Sequence, residues 1–111
     1  MTDGKPMSIT DSQFESDVLQ NKAICVVDFW APWCGPCLQM APGLEAFAAA
    51  NAESVRVFKL DVDDNPKTAE RYEIRSVPTV IFFKDGHPLY RSAGAMSQSS
   101  LQSQLDKLKK A

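Results

Sequence analysis

Trp33-Cys34-Gly35-Pro36-Cys37 is the stretch on which the reading of this chain turns. Two cysteines separated by two residues can close a small disulfide without moving anything else, which suits a pair that cycles between thiol and disulfide better than one that staples a fold. The stretch follows an apolar run, Ala23 to Ala31, and opens a segment with helical spacing, so Cys34 falls where a strand hands over to a helix. Unpaired backbone N–H groups and the positive end of the macrodipole favour a thiolate at a helix N-terminus, and the thiolate is the form that attacks disulfides. Cys34 is therefore the candidate nucleophile. Cys37, one turn deeper on the same helix face, is the candidate resolving thiol that would attack a mixed disulfide held by Cys34 and release the substrate.

A lone Cys-x-x-Cys pair also reads as half of a zinc site. Structural zinc is almost always four-coordinate, and outside the motif the chain offers only Cys25 and His87, neither with a partner at ligand spacing. No metal is expected. Two unreactive core cysteines are disfavoured as well, because Gly35-Pro36 and Trp33 mark a surface turn. Cys25 has no mate nearby and reads as a core residue, free cysteine being among the most buried residue types.

Working outward, Ala23 to Ala31 is almost continuously apolar, the signature of a central strand covered on both faces. Asp28 alone breaks the run. From the residues alone it is either an exposed position or a structural hydrogen-bonding group, since unpaired buried aspartate is rare. Upstream, Ser8-Ile9 is a short extended piece. Thr10 to Gln13 fits a capping box opening a helix with Phe14, Val18 and Leu19 on its buried stripe and Asn21-Lys22 at its end. Downstream, Cys37, Met40, Ala41, Leu44, Phe47 and Ala48 recur at helical spacing up to Asn51, and Pro42 should kink that helix.

Val55 to Leu60 reads as a strand. Asp61, Asp63 and Asn65 begin like a calcium loop, but Pro66 stands where glycine is required and Tyr72 where the closing glutamate should be. The acids are instead expected to cap and charge a helix over Pro66 to Tyr72. Strands at Thr79 to Lys84 and His87 to Ala93 are joined by Asp85-Gly86, a hairpin signal, and Pro88 makes the second of them an edge. Ser97 caps a last helix with Leu101, Leu105 and Leu108 on one face. Strands alternating with helices in this order give an α/β class with helices on both faces of a mixed sheet.

With 111 residues, the chain fits one domain. Its 44% hydrophobic and 23% charged residues and net charge of -2 describe an ordinary globular composition and argue against a nucleic-acid partner. Residues 1–7 have no apolar core, are not a signal peptide, and are expected to form a flexible extension. No apolar stretch approaches the ~20 residues of a membrane span, and an odd cysteine count argues against a secreted disulfide framework. A cytoplasmic location away from membranes is expected.

The chain resembles the thioredoxin family along nearly its whole length. Val27-Asp28-Phe29-Trp30-Ala31, the motif from Trp33 to Cys37, Ala41-Pro42, Lys59-Leu60-Asp61-Val62-Asp63, Tyr72-Glu73-Ile74-Arg75, Val77-Pro78-Thr79 and Gly94-Ala95 all occur in the family's order. The resemblance implies a thioredoxin fold with a central five-stranded sheet and an antiparallel hairpin at one side. It implies a protein-disulfide reductase working through reversible oxidation of Cys34 and Cys37. No cofactor is implied beyond that pair, NADPH being used indirectly through a thioredoxin reductase, and the partners are that reductase and disulfide-containing proteins, met by a monomer. Asp28 would lie buried behind the motif, moving protons to and from Cys37, with Lys59 as its neighbour. Val77-Pro78 would be a cis bond facing the cysteines, and Trp33, Gly35, Pro36, Val77, Pro78 and Gly94 would form the flat patch that receives substrate backbone. Leu38 and Ser76 depart from the commonest family pattern, Leu38 by removing a positive charge beside the thiolate. A different reading of the same resemblance is a binding subunit whose thiols are dispensable; another, an exported oxidant or isomerase, is opposed by the Gly-Pro filling and the lack of a signal.

Overall fold

The apolar run becomes the middle of the sheet. In the computed structural model, which describes residues 4–110, β2 (Ile24–Trp30) lies between β3 (Val55–Asp61), parallel to it, and β4 (Thr79–Lys84), antiparallel to it. β1 (Met7–Ser8) pairs parallel with β3, and β5 (His87–Ala93) antiparallel with β4, giving the order β1-β3-β2-β4-β5. This is the five-stranded mixed sheet that the resemblance implies. Opposite Pro88 on the open edge the β4–β5 register slips by one residue, between Phe82 and Phe83.

Side chains alternate across the sheet and divide the core in two. Ile24 and Val26 of β2 join Val55, Val57, Val80 and Phe82 beneath α2 (Gly35–Ala50) and α4 (Gln98–Lys110), where Met40, Leu44, Phe47, Leu101 and Leu105 pack down on them. Cys25, Val27 and Phe29 face the other way, toward α1 (Asp11–Phe14), its continuation as a π-helical turn over Glu15–Leu19, and α3 (Pro66–Arg71). There Phe14, Tyr72 and Phe83 form an aromatic triangle with centroids 5.3 to 5.6 Å apart. Both faces are covered, so the central strand carries no exposed polar row.

The helix starts are capped as expected in two cases. Gln13 Oε1 accepts the Thr10 backbone N–H at 3.1 Å, and Ser97 Oγ accepts that of Ser100 at 3.1 Å. α3 is a correction. The stretch from Asp61 to Asn65 does not cap it: Asp61 Oδ1, at the end of β3, takes the N–H of Asp63, and Asn65 Oδ1 takes that of Asp11. The donors at the start of α3 go instead to the distant Asp11, whose carboxylate accepts from Lys67 N (3.2 Å), Thr68 N (2.8 Å) and Thr68 Oγ1 (2.6 Å). α1 and α3 are thus locked to each other through reciprocal bonds.

Of the flexible extension expected over 1–7, residues 4–7 are corrected. Met7 belongs to β1, and Gly4 is buried with φ 81°, where an added Cβ would stand 3.3 Å from the Ala49 Cα at the end of α2. Only glycine lets the chain pass that close with that backbone. Met1 to Asp3 lie outside the described residues.

Candidate active site

Cys34 is the N-cap of α2, with extended φ and ψ of -90° and 109°, and Pro36 follows in the first turn, where its missing N–H costs nothing. Cys34 and Cys37 are joined as a disulfide, their Cα atoms 5.3 Å apart. The Cys37 backbone N–H donates to Cys34 Sγ at 3.2 Å, so an orphan donor of the helix start is aimed at the sulfur that would carry a thiolate. Both cysteines are almost buried, packed with Ala31 against Trp30, Val62 and Val77.

Around them the surface is apolar. Trp33 is 70% exposed and Leu38 54%, with Gly35 and Pro36 exposed between them. Trp33 is held by a hydrogen bond from Nε1 to Asp63 Oδ2 at 2.8 Å. Across from Cys34 stands the loop between α3 and β4. Its Val77-Pro78 bond is cis, and the Val77 carbonyl oxygen lies 3.6 Å from Cys34 Sγ. Pro78 itself is buried, leaving the half-buried Val77 to present the loop at this surface. Gly94, at φ 112°, donates its N–H to the Pro78 carbonyl at 2.8 Å and faces open space.

Asp28 lies on the sheet face of Ile24 and Val26, beneath the helix that begins at the cysteines. It is 1% exposed, and its Oδ1 is without a hydrogen-bond partner. Burial pushes its pKa from 3.8 up to about 7, and the positive charge of Lys59 keeps it from rising further. Lys59 is its register partner on β3, with Nζ 4.2 Å from the centroid of the Trp30 ring. The exposed-position reading of Asp28 is ruled out by this burial, and the structural reading finds no partner for Oδ1. A group poised near neutrality in this way can take up and return a proton.

Cys25 is fully buried on the opposite face of β2, in the core with Val27 and Phe29. Burial pushes its thiol up to about 11, which keeps it protonated and inert at neutral pH. Among the described residues no group of three or more His, Cys, Asp or Glu is placed to hold a metal, and no helix is long and apolar enough to cross a membrane. Two contacts escaped the sequence: the Asp63 bond to Trp33, and the reach of Arg91 to the loop before Val77. Both join residues far apart in the chain, and no local pattern signals them.

A cysteine pair at a helix start, facing a cis peptide and backed by a buried acid, defines a dithiol–disulfide oxidoreductase on a mixed α/β sheet. The Thioredoxin family model matches residues 5–107. The thioredoxin of Mycobacterium tuberculosis (strain ATCC 25618 / H37Rv) is 45% identical over 108 residues, covering 95% of this chain and 93% of that protein. That of Alicyclobacillus acidocaldarius is 46% identical over 99 residues (89% and 93%), and that of Staphylococcus aureus (strain Mu50 / ATCC 700699) 46% over 101 residues (91% and 95%). The chain belongs to the thioredoxin family, and Cys34 and Cys37 are its redox-active centre.

Proposed function

We propose that this chain reduces disulfides in other proteins as a single cytoplasmic domain spanning residues 1–111, works as a monomer, and is returned to its dithiol form by a thioredoxin reductase drawing on NADPH. The observation that carries the reading is Cys34 Sγ at the helix start, 3.6 Å from the carbonyl of Val77. A substrate segment lying extended against that backbone can pair with it through main-chain hydrogen bonds, which accepts many sequences because it reads no particular side chain. Trp33, Gly35, Pro36, Val77 and Gly94 would frame the segment, with Pro78 holding the loop from behind.

In the first step the Cys34 thiolate attacks one sulfur of the substrate disulfide, a Cys34–substrate bond forms, and the first substrate sulfur leaves as a thiolate that takes a proton. In the second, Asp28 takes the proton of Cys37. The Cys37 thiolate attacks Cys34 Sγ, and the second substrate sulfur departs and is protonated. Two electrons pass from the cysteine pair to the substrate; of the two protons its sulfurs take up, one is that of Cys37, returned from Asp28, and the other comes from solvent, where the proton of Cys34 went when its thiolate formed. The carboxyl's rise to about 7 supports this role, because such a base is half ionised near the working pH. Lys59 limits that rise.

Reduction of a protein disulfide in the presence of NADPH and a thioredoxin reductase tests the reading. Turnover by the parent and none by the Cys34→Ser/Cys37→Ser protein is the expected result. A cellular role kept intact by the double-serine protein would instead identify a binding subunit with dispensable thiols.

A further inference from the structure

Arg91 lies on the edge strand β5, away from the cysteines, where a charged side chain would ordinarily be read as a guard against edge pairing. Its guanidinium does something more specific. One terminal nitrogen donates to the Tyr72 carbonyl and the other, at 2.8 Å, to the Glu73 carbonyl. These are the residues on which α3 ends. Ile74 N donates to Ala69 O at 2.9 Å and Glu73 N to Glu70 O at 3.0 Å, a Schellman closure that puts its first residue past the helix in the left-handed region. That position usually holds glycine, yet here it is Glu73, at φ 53°. A side chain there costs roughly 1–2 kcal/mol. The fork of Arg91 offsets it with two charge-assisted bonds at the negative end of the dipole, one to the carbonyl of Tyr72, the C-cap that the helix leaves unpaired, and one to that of Glu73 just past it.

From Glu73 the chain runs through Ile74, Arg75 and Ser76 to Val77, whose carbonyl faces Cys34. The far end of this strip is pinned by Thr79 Oγ1 on the Ser76 carbonyl (2.7 Å) and by Gly94 N on the Pro78 carbonyl (2.8 Å). Arg91 in β5 and Gly94, the residue just past its end, are three residues apart, so this one short segment grips the strip at both ends. We propose that Arg91 is a positioning residue for substrate binding, holding the backbone of Arg75 to Val77 at the height where it meets an extended substrate segment beside Cys34. The proposal rests on the reading that this strip pairs with substrate.

The test uses a short peptide whose cysteine is disulfide-linked to an aryl thiol reporter, the same peptide N-methylated beside the cysteine, and a simple aryl disulfide that has no backbone to pair. In the parent, N-methylation raises KM. In Arg91→Met the unmodified peptide's KM rises roughly 5- to 10-fold with kcat little changed, the penalty for N-methylation shrinks because the two changes remove the same pairing, and the aryl disulfide rate falls less than the peptide's kcat/KM. Arg91→Lys, which keeps the charge without the planar fork, falls between, and it carries the test alone if Arg91→Met does not fold. If the parent responds to N-methylation while KM is the same in both variants, Arg91 is a surface charge and the proposal fails by itself. Equal losses on peptide and aryl disulfide would show general damage and also overturn it. No response to N-methylation in the parent would overturn the pairing reading, and this proposal with it.

Discussion

Replacing Asp28 by Ala sets stability against function. The folded carboxyl keeps its proton up to about 7, whereas in the unfolded chain it is released near 3.8. Between those values the folded state binds more protons, so stability falls as pH rises through that window and levels off above it. The shift corresponds to about 4 kcal/mol withheld from the folded state at pH 8, about 1–2 kcal/mol at pH 5, and less than about 1 kcal/mol at pH 4. Alanine removes the whole penalty and leaves a small cavity costing about 1 kcal/mol. Asp28→Ala should therefore be about 2–3 kcal/mol more stable than the parent at pH 8, about equal at pH 5 and slightly less stable at pH 4. Denaturant melts at the three pH values read this directly.

The same variant should reduce a protein disulfide about tenfold or more slowly near neutral pH, because in the proposed second step Asp28 is the base that takes the proton of Cys37. A protein that gains stability while losing rate is one that keeps a strained group for chemistry. Destabilisation at pH 8, or full turnover, would refute the reasoning and make Asp28 a structural residue.

Cys25→Ala should leave turnover nearly unchanged and cost about 1 kcal/mol of packing; in the parent, thiol titration after reduction should find two accessible groups and a third only on unfolding. Asp11→Ala should destabilise the protein by about 1–2 kcal/mol by uncapping α3. Burial alone would raise the pKa of Asp11, but the hydrogen bonds from Thr68 and Lys67 outweigh it and lower the pKa, so this cap stabilises above the ordinary carboxylate value and is lost as pH falls through the lowered one. The Asp11→Ala deficit in denaturant melts should therefore narrow in strong acid.

Most of the architecture was legible because it rests on local pattern. The unbroken apolar run of β2, the helical spacing from Cys37 to Ala48 and the Asp-Gly hairpin each carry their own signal, and strand limits from Thr79 to Ala93 agree with the structure. What was not legible depends on residues distant in sequence. Acids beside α3 looked like its cap, but Asp11 reaches the same N–H groups from another helix. Gly4 looked like part of a free tail because nothing near it in sequence shows Ala49 as its neighbour. Within the site, the cysteines declared themselves by spacing, while Asp28 was ambiguous: an acid in an apolar strand looks the same whether its carboxyl turns outward, finds a partner or is buried without one. Only the burial of its carboxyl separates these cases.

The central claim is that Cys34 attacks and Cys37 resolves, and limited alkylation of the reduced protein at neutral pH tests it most directly. Peptide mapping over a short time course should find Cys34 modified first, Cys37 more slowly and Cys25 not at all while the protein stays folded. Labelling of Cys37 ahead of Cys34 would contradict the assignment.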